Sequence, residues 1–327
     1  MQQIVQLQQV FGAYLQEERL LQEPAALYEP VNYIMSIGGK RMRPIMCLLA
    51  CQCFDTDVNK ALPAAMSVEI FHNFSLVHDD IMDQAPLRRG KATVHSKYGL
   101  NSGILSGDVM LIYAYEYLLR SPLKHRINDM VATLGKVAIK VCEGQQYDID
   151  FEQRNDVSLP EYLKMIEMKT AALLAGSLKL GAMAADAPAK DCHHLSEFGR
   201  LTGIAFQIQD DYLDTFGDPS KVGKRVGGDI AQNKKTCLII KALEIAPPEI
   251  KAELEQLYQQ TPDPANDTPK INRVITIFEE LGLPAFLKEL RNSYQQQAYD
   301  ELKQVDADEK AKKILFDLAE TLLVREL

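Results

Sequence analysis

Residues 68–83 read VEIFHNFSLVHDDIMD, and this stretch decides the fold. An apolar helical run, Val68–Val77, leads straight into Asp79, Asp80 and Asp83. On a helix, positions i and i+4 share a face and i+1 lies about 100° round from i. Asp79 and Asp83 therefore stack, with Asp80 beside them. The pattern recurs. Leu201–Ile208 leads through Gln209 into Asp210, Asp211 and Asp214. One acidic triplet is ordinarily a solvated face. Two, each running out of apolar helical sequence, are costly unless a cation neutralises them. The pair points to a paired metal site.

The chain around them has 327 residues, 46% hydrophobic and 25% charged, which is the make-up of a soluble globular protein with ample core. A net charge of -9 argues against a nucleic-acid partner, so any basic patch must be local. No apolar run approaches the ~18 residues of a membrane span. The first residues lack a charged-then-apolar leader, so a cytoplasmic location is expected. The six cysteines, at 47, 51, 53, 142, 192 and 237, form no CxxC pair and are expected to be reduced, buried small hydrophobes.

Helical spacing runs through nearly every segment. Apolar residues recur at 4, 7, 10/11, 14/15 and 20/21, and Leu27–Ile37 reads alike. There is no period-two run and no Asn-Gly or Asp-Gly hairpin signal. Breaks fall at Gly38-Gly39, Gln84–Gly90, Ser121-Pro122, Asn155–Pro160, Asp186–Pro188, Gly217–Gly228, Pro247-Pro248 and Thr261–Pro269. None is long enough to separate a pair of domains. The expectation is one all-α domain over residues 1–327, built as a helical bundle.

Cations gather at three of these breaks. Gly38-Gly39-Lys40-Arg41-Met42-Arg43-Pro44 places three of them in four positions ahead of a helix N-terminus. Free N–H groups, the helix dipole and the side chains together favour phosphate. Arg88 and Arg89 follow the first acidic run, where guanidinium forks suit the oxygens of a metal-bound diphosphate. The second run is followed by the glycine- and lysine-rich stretch 217–229 and then by Asn233-Lys234-Lys235-Thr236, a basic flap able to close over phosphates.

Three further positions stand out. Glu69-Ile-Phe-His72 matches one half of a di-iron motif, but no second Glu-x-x-His occurs, so that reading is discounted. His72 lies seven residues before Asp79 and shares its face; a satisfied core histidine is the alternative. Gly144, inside a helical pattern, signals a close approach. Lys169-Thr170 opens a small-residue helix at Ala171–Ala185, and helix packing does not account for Lys169.

In this order the motifs closely resemble the trans-isoprenyl diphosphate synthases, or polyprenyl synthetases. They are Gly-Gly-Lys-Arg-x-Arg-Pro, Asp-Asp-x-x-Asp with Arg-Arg-Gly, Lys-Thr, Phe-Gln-x-x-Asp-Asp-x-x-Asp, Gly-Lys and Lys-x-Thr, spanning Gly38 to Thr236. The resemblance implies an isoprenoid-synthase-type bundle around a central cleft. It implies magnesium, three ions per site, on Asp79, Asp80, Asp83, Asp210, Asp211 and Asp214. It assigns Arg88, Lys169, Thr170, Gln207, Lys224 and Lys234 to an allylic diphosphate. Gly39, Lys40, Arg43, His72 and Arg89 go to isopentenyl diphosphate. Lys169, Thr170 and Gln207 would also stabilise the allylic cation. A homodimer is implied as well.

Metal-assisted ionisation, attack by the isopentenyl double bond and proton loss would then yield an all-trans prenyl diphosphate. Phe74, small Ser75 and Phe71 form the implied chain-length floor, and the combination resembles geranylgeranyl-making members best, with farnesyl diphosphate as the alternative product. Rival readings are a class I terpene cyclase, a silent partner subunit and a metal-binding scaffold without chemistry. The second Asp-rich motif disfavours the first, the presence of all six aspartates the second, and the ordered basic loops the third.

Overall fold

Where the apolar spacing is helical, helices form, and the expected breaks separate them. The computed structural model describes residues 2–18, 22–218, 226–263 and 266–323. The helices are α1 (Gln2–Glu17), α2 (Ala25–Ser36), α3 (Met42–Gln52), α4 (Leu62–Met82), α5 (Val94–Tyr98), α6 (Leu100–Leu119), α7 (Ile127–Glu152) and α8 (Leu159–Ile166). They continue with α9 (Ala172–Ala184), α10 (Ala189–Phe216), α11 (Gly228–Ala231), α12 (Cys237–Ile245), α13 (Pro248–Tyr258), α14 (Thr268–Glu280), α15 (Leu283–Lys303) and α16 (Glu309–Leu323). The described residues are helical apart from connecting turns and one hairpin. Among the described residues no helix is long and apolar enough to cross a membrane.

Contacts divide the chain into two compact units. The first comprises Met1–Val137, Leu173–Ser196 and Gln304–Leu315; the second comprises Ala138–Ala172, Glu197–Lys303 and Phe316–Leu327.

In the first unit α4 is buried nearly all round, from Leu62 to Phe71 without a break. Such a helix is surrounded by protein. It packs along α6. Gly107 makes the approach possible: a Cβ there would fall 2.1 Å from His78 Nε2. α3 is equally enclosed, with Pro44 through Cys51 buried.

After α4 the chain makes a two-residue hairpin of β1 (Leu87–Arg88) and β2 (Lys91–Ala92), with Arg88 opposite Lys91. No Asn-Gly or Asp-Gly pair marks it in the sequence. Arg89 (φ 54°) and Gly90 (φ 75°) both take positive φ, as a tight turn of this hand requires. Arg-Gly supplies the turn in place of the usual Asn-Gly.

In the second unit the core gathers Phe151, Tyr162, Ile204, Ile208, Leu238, Ile239, Val274, Phe278 and Leu283. α8 starts at a capping box: Glu161 N–H donates to Ser158 Oγ (3.4 Å), and Ser158 N–H donates to Glu161 Oε2 (2.9 Å). No break follows α8. It runs into a π-turn, Glu167–Ala171, and on into α9. The helix expected at Ala171–Ala185 therefore begins one residue later, behind a widened turn that carries Lys169 and Thr170. Such turns are frequent at functional sites.

Gly144 of α7 is where the π-turn approaches. A Cβ there would sit 2.3 Å from Lys169 N and 2.7 Å from its Cα. All six cysteines are free; five are buried, but Cys142 is exposed, contrary to expectation.

Candidate active site

The first unit holds a basic cluster on α3, α4, the 38–41 loop and the hairpin. Gly39, at φ 137°, lies so close to Arg89 that a Cβ would fall 2.3 Å from Nη1. The angle favours glycine, and the Arg89 guanidinium occupies the space that a Cβ would take. Arg43 Nη1 lies 3.2 Å from His72 Nε2, while Arg43 Nε is buried without a partner. Such an orphaned donor in a cationic pocket suits an incoming anion. Burial lowers the pKa of Arg43, Glu69 raises it, and Arg89 lowers it again.

Half-buried His72 is pushed well below the ordinary imidazole range, first by burial and then by Arg43, Arg89, Arg88 and Arg41. It is therefore a neutral ring among four guanidinium groups. Four of the five residues assigned to isopentenyl diphosphate, namely Gly39, Arg43, His72 and Arg89, thus come together. Lys40 is exposed, and its carbonyl accepts from Gln8 Nε2 (3.3 Å).

The acids of the first run divide by burial. The Asp79 side chain is 23% exposed and that of Asp80 is 1%. Arg88 Nε donates to both Asp80 oxygens, at 2.9 and 2.8 Å, and its Nη2 lies 2.7 Å from Asp80 Oδ1 and 3.6 Å from Asp79 Oδ2. Arg88 is thus sunk on Asp80. Asp83 is exposed at the end of α4. Farther back on the helix, Phe74 packs between Phe71 and His78, with centroids 5.5 and 4.9 Å away. Phe71 is fully enclosed and Phe74 retains 8% exposure. Ser75 Oγ donates to the His72 carbonyl (2.9 Å).

In the second unit a chain of hydrogen bonds ends on Asp211. Thr170 Oγ1 donates to Gln207 Oε1 (3.2 Å), and Gln207 Nε2 donates to Asp211 Oδ1 (3.2 Å). The Tyr162 hydroxyl donates to Asp211 Oδ2. Lys169 Nζ pairs with Asp148. Asp214 Oδ2 accepts from Asp229 N–H at the start of α11 (3.0 Å).

Burial, then the charge of Asp229, pushes Asp211 up to about 7 against the pull of its Tyr162 and Gln207 donors. The same two causes, burial first, push Asp214 up to about 6. Asp229 is thus a further acid acting on both carboxyls, and Lys234 Nζ lies 3.5 Å from it. Lys224 lies outside the described residues.

These raised carboxyls set a pH dependence. A carboxyl whose folded pKa lies above its ordinary value stabilises the fold below that ordinary value and loses the contribution as pH rises through the folded pKa. For Asp211 the window runs from 3.8 to about 7. In metal-free protein, Asp211→Asn is expected to flatten the fall in melting temperature between pH 5 and pH 8. Parallel slopes for variant and wild type would contradict the assignment.

A family model for polyprenyl synthetase matches residues 24–275. The chain belongs to the polyprenyl synthetase family. The geranylgeranyl diphosphate synthase of Methanosarcina mazei is 36% identical over 306 residues, covering 93% of this chain and 91% of its own. A crystal structure of a geranylgeranyl pyrophosphate synthase superposes with TM-score 0.94 at 40% identity, covering 99% of both chains. The polyprenyl synthase of Caulobacter crescentus, solved with calcium and isoprenyl diphosphate, is 25% identical at TM-score 0.84, covering 99% of this chain and 97% of its own. The fold is accordingly that of the isoprenyl synthases, and this polyprenyl synthetase is a prenyltransferase.

Its donors fit the divalent metal that the family uses. Both acidic runs offer only carboxylate oxygens, the ligands of a hard cation. Among the described residues no three His, Cys, Asp or Glu side chains are gathered into a ready cage. Magnesium takes one or two carboxylates and completes its shell with phosphate oxygens and water. The burial and the nearby charge of Asp229 that raise Asp211 and Asp214 disfavour their charged forms, and such an ion would offset both.

Several neighbours of the site are not legible in the motifs. Tyr162, Asp148 and Asp229 carry no spacing signal. Arg41 reads in sequence as one more phosphate ligand, yet its guanidinium bridges Glu69 and the Met35 carbonyl. A cavity of about 820 Å³, lined by Tyr33, Met35, Arg41, Met66 and Ile70 among others, includes none of the expected site residues.

Proposed function

We propose that this polyprenyl synthetase condenses isopentenyl diphosphate with an allylic diphosphate (dimethylallyl, geranyl or farnesyl) and releases all-trans geranylgeranyl diphosphate. The basic cluster of Gly39, Arg43, His72 and Arg89 carries the reading. It gathers guanidinium groups around a buried donor without a partner, which suits an anion, and a condensing enzyme needs a second phosphate site that a hydrolase does not.

In this reading magnesium, when bound to the six aspartates, offsets the charge of the leaving diphosphate. Arg88, Lys169, Lys224 and Lys234 add cationic contacts to that diphosphate. Asp80 fixes the Arg88 fork, and Asp148 orients Lys169. The Thr170 hydroxyl and the Gln207 side-chain carbonyl supply oxygen dipoles for the allylic cation, held in place by the bonds that run on to Asp211. Arg43 and Arg89 hold the isopentenyl diphosphate, and neutral His72 accepts or donates a hydrogen bond there without adding charge. The family model's match runs through segments of both units, which supports reading residues 1–327 as one catalytic domain.

For product length, Phe74 is the floor and Phe71 its backing, since Phe71 has no exposed surface. Given isopentenyl diphosphate, magnesium and each starter in turn, purified protein is expected to yield a twenty-carbon alcohol after dephosphorylation. Phe74→Ala is expected to shift the product to longer chains. A fifteen-carbon stop would support the farnesyl alternative, and an unchanged product in Phe74→Ala would return that ring to the core.

A homodimer belongs to the reading as well. α6 leaves Leu100, Ile104, Leu105, Ile112 and Leu119 exposed, an apolar face that association would cover. Light scattering is expected to give twice the chain mass, and a monomer at micromolar concentration would count against it.

A further inference from the structure

Arg41 and Glu69 are the two charged residues of the basic cluster that substrate binding leaves unexplained. Arg41 lies in the left-handed region, at φ 49°, which is disfavoured for a residue with a side chain. Its Nη2 donates to the Met35 carbonyl and its Nη1 to Glu69 Oε1. Glu69 is 3% exposed. The same Oε1 accepts from Asn73 Nδ2 (2.8 Å), which also donates to the Glu69 carbonyl (2.8 Å). A charge-assisted bridge of this kind, buried at the carboxylate end, holds the unusual backbone of Arg41.

The consequence falls on either side of Arg41 in the chain. Two residues before it, Gly39 lies against the Arg89 guanidinium. Two residues after it, Arg43 reaches His72. We infer that Glu69, acting through Arg41, is a positioning residue that sets the 38–41 loop and with it the arginines of the isopentenyl diphosphate site. The inference rests on the function proposed above for that cluster.

Charge and position pull in opposite directions here, so the sign of the effect is decisive. The Glu69 carboxylate lies close enough to raise the pKa of both Arg43 and Arg89 against the larger lowering by burial. It therefore weakens the pull of the cluster on an anion. By charge alone, Glu69→Gln should bind isopentenyl diphosphate more tightly. By position it should bind more weakly, because the loop loses its anchor.

The test uses the full-length protein as Glu69→Gln, Arg41→Gln and the double variant. Calorimetry gives Kd for isopentenyl diphosphate, and steady-state assays give KM for each substrate. The expected result is a rise in isopentenyl Kd and KM of roughly tenfold to a hundredfold, the worth of a hydrogen bond to a charged group. The allylic KM is expected to stay within about twofold, and the double variant to be no worse than either single one, as coupled residues behave. Unchanged or tighter isopentenyl binding by folded Glu69→Gln overturns the inference, as does an equal loss for both substrates.

If Glu69→Gln gives no cooperative melt, Arg41→Lys takes its place. A lysine keeps the charge but lacks the fork that spans Glu69 and Met35, so the same split in KM is expected and its absence overturns the inference. Wild-type protein that binds isopentenyl diphosphate yet condenses nothing would defeat the proposed function. The calorimetric comparison would still read the role of Glu69.

Discussion

Replacing Asp79 or Asp210 by alanine is expected to lower turnover by about a thousandfold or more, the scale on which charge stabilisation of a leaving group operates. Melting temperature should move little. Asp79 is 23% exposed at its side chain, and Asp210 is only half-buried. Neither is a core contact, so the fold loses little when the carboxylate goes. Circular dichroism beside a turnover assay checks both halves. Near-normal turnover in a folded variant would remove that aspartate from the metal site.

Asp80→Ala is expected to behave differently, losing activity and stability together. Asp80 is 1% exposed and takes the Arg88 guanidinium through both oxygens. Removing one partner of a buried pair costs roughly 3 kcal/mol or more, because the other charge is left behind. Arg88 sits at 24% exposure, so water recovers some of that. Urea titration should show a lower midpoint with an unchanged slope. The two variants of one motif thus separate an aspartate that serves the metal from one that must also hold Arg88. Equal stability of Asp80→Ala and Asp79→Ala would contradict this division.

The sequence carries the fold well, for a physical reason. Helical periodicity is local, and the glycine and proline breaks coincide with the ends of α2, α4, α6, α7, α9, α10, α12 and α13. The hairpin at Arg89-Gly90 is hidden because its strands are two residues each, too short to show alternation. The π-turn is hidden because widening a helix by one residue leaves the apolar spacing of α8 and α9 intact. Only Gly144, in a different helix, hints that something comes close.

The site is legible as residue types and only partly as roles. Asp79 and Asp80 are neighbours in sequence, yet one is partly exposed and the other sealed against Arg88. Lys40, Arg41 and Arg43 read as one basic run. In the structure Lys40 is exposed, Arg41 holds Glu69 and Arg43 meets His72. Those differences depend on tertiary partners, which spacing along one helix does not encode. Glu69 stands out in sequence for the wrong chemistry, as half of a di-iron motif, because a buried carboxylate is conspicuous in an apolar run whatever it binds.

The most direct measurement of the central claim is the mass of the product formed by purified wild-type protein from isopentenyl diphosphate, an allylic diphosphate and magnesium. The account predicts a prenyl diphosphate longer than the starter by whole five-carbon units, formed only when both substrates and the metal are present. Diphosphate release from the allylic substrate alone, with a hydrolysed or cyclised hydrocarbon and no new carbon–carbon bond to isopentenyl diphosphate, would contradict it.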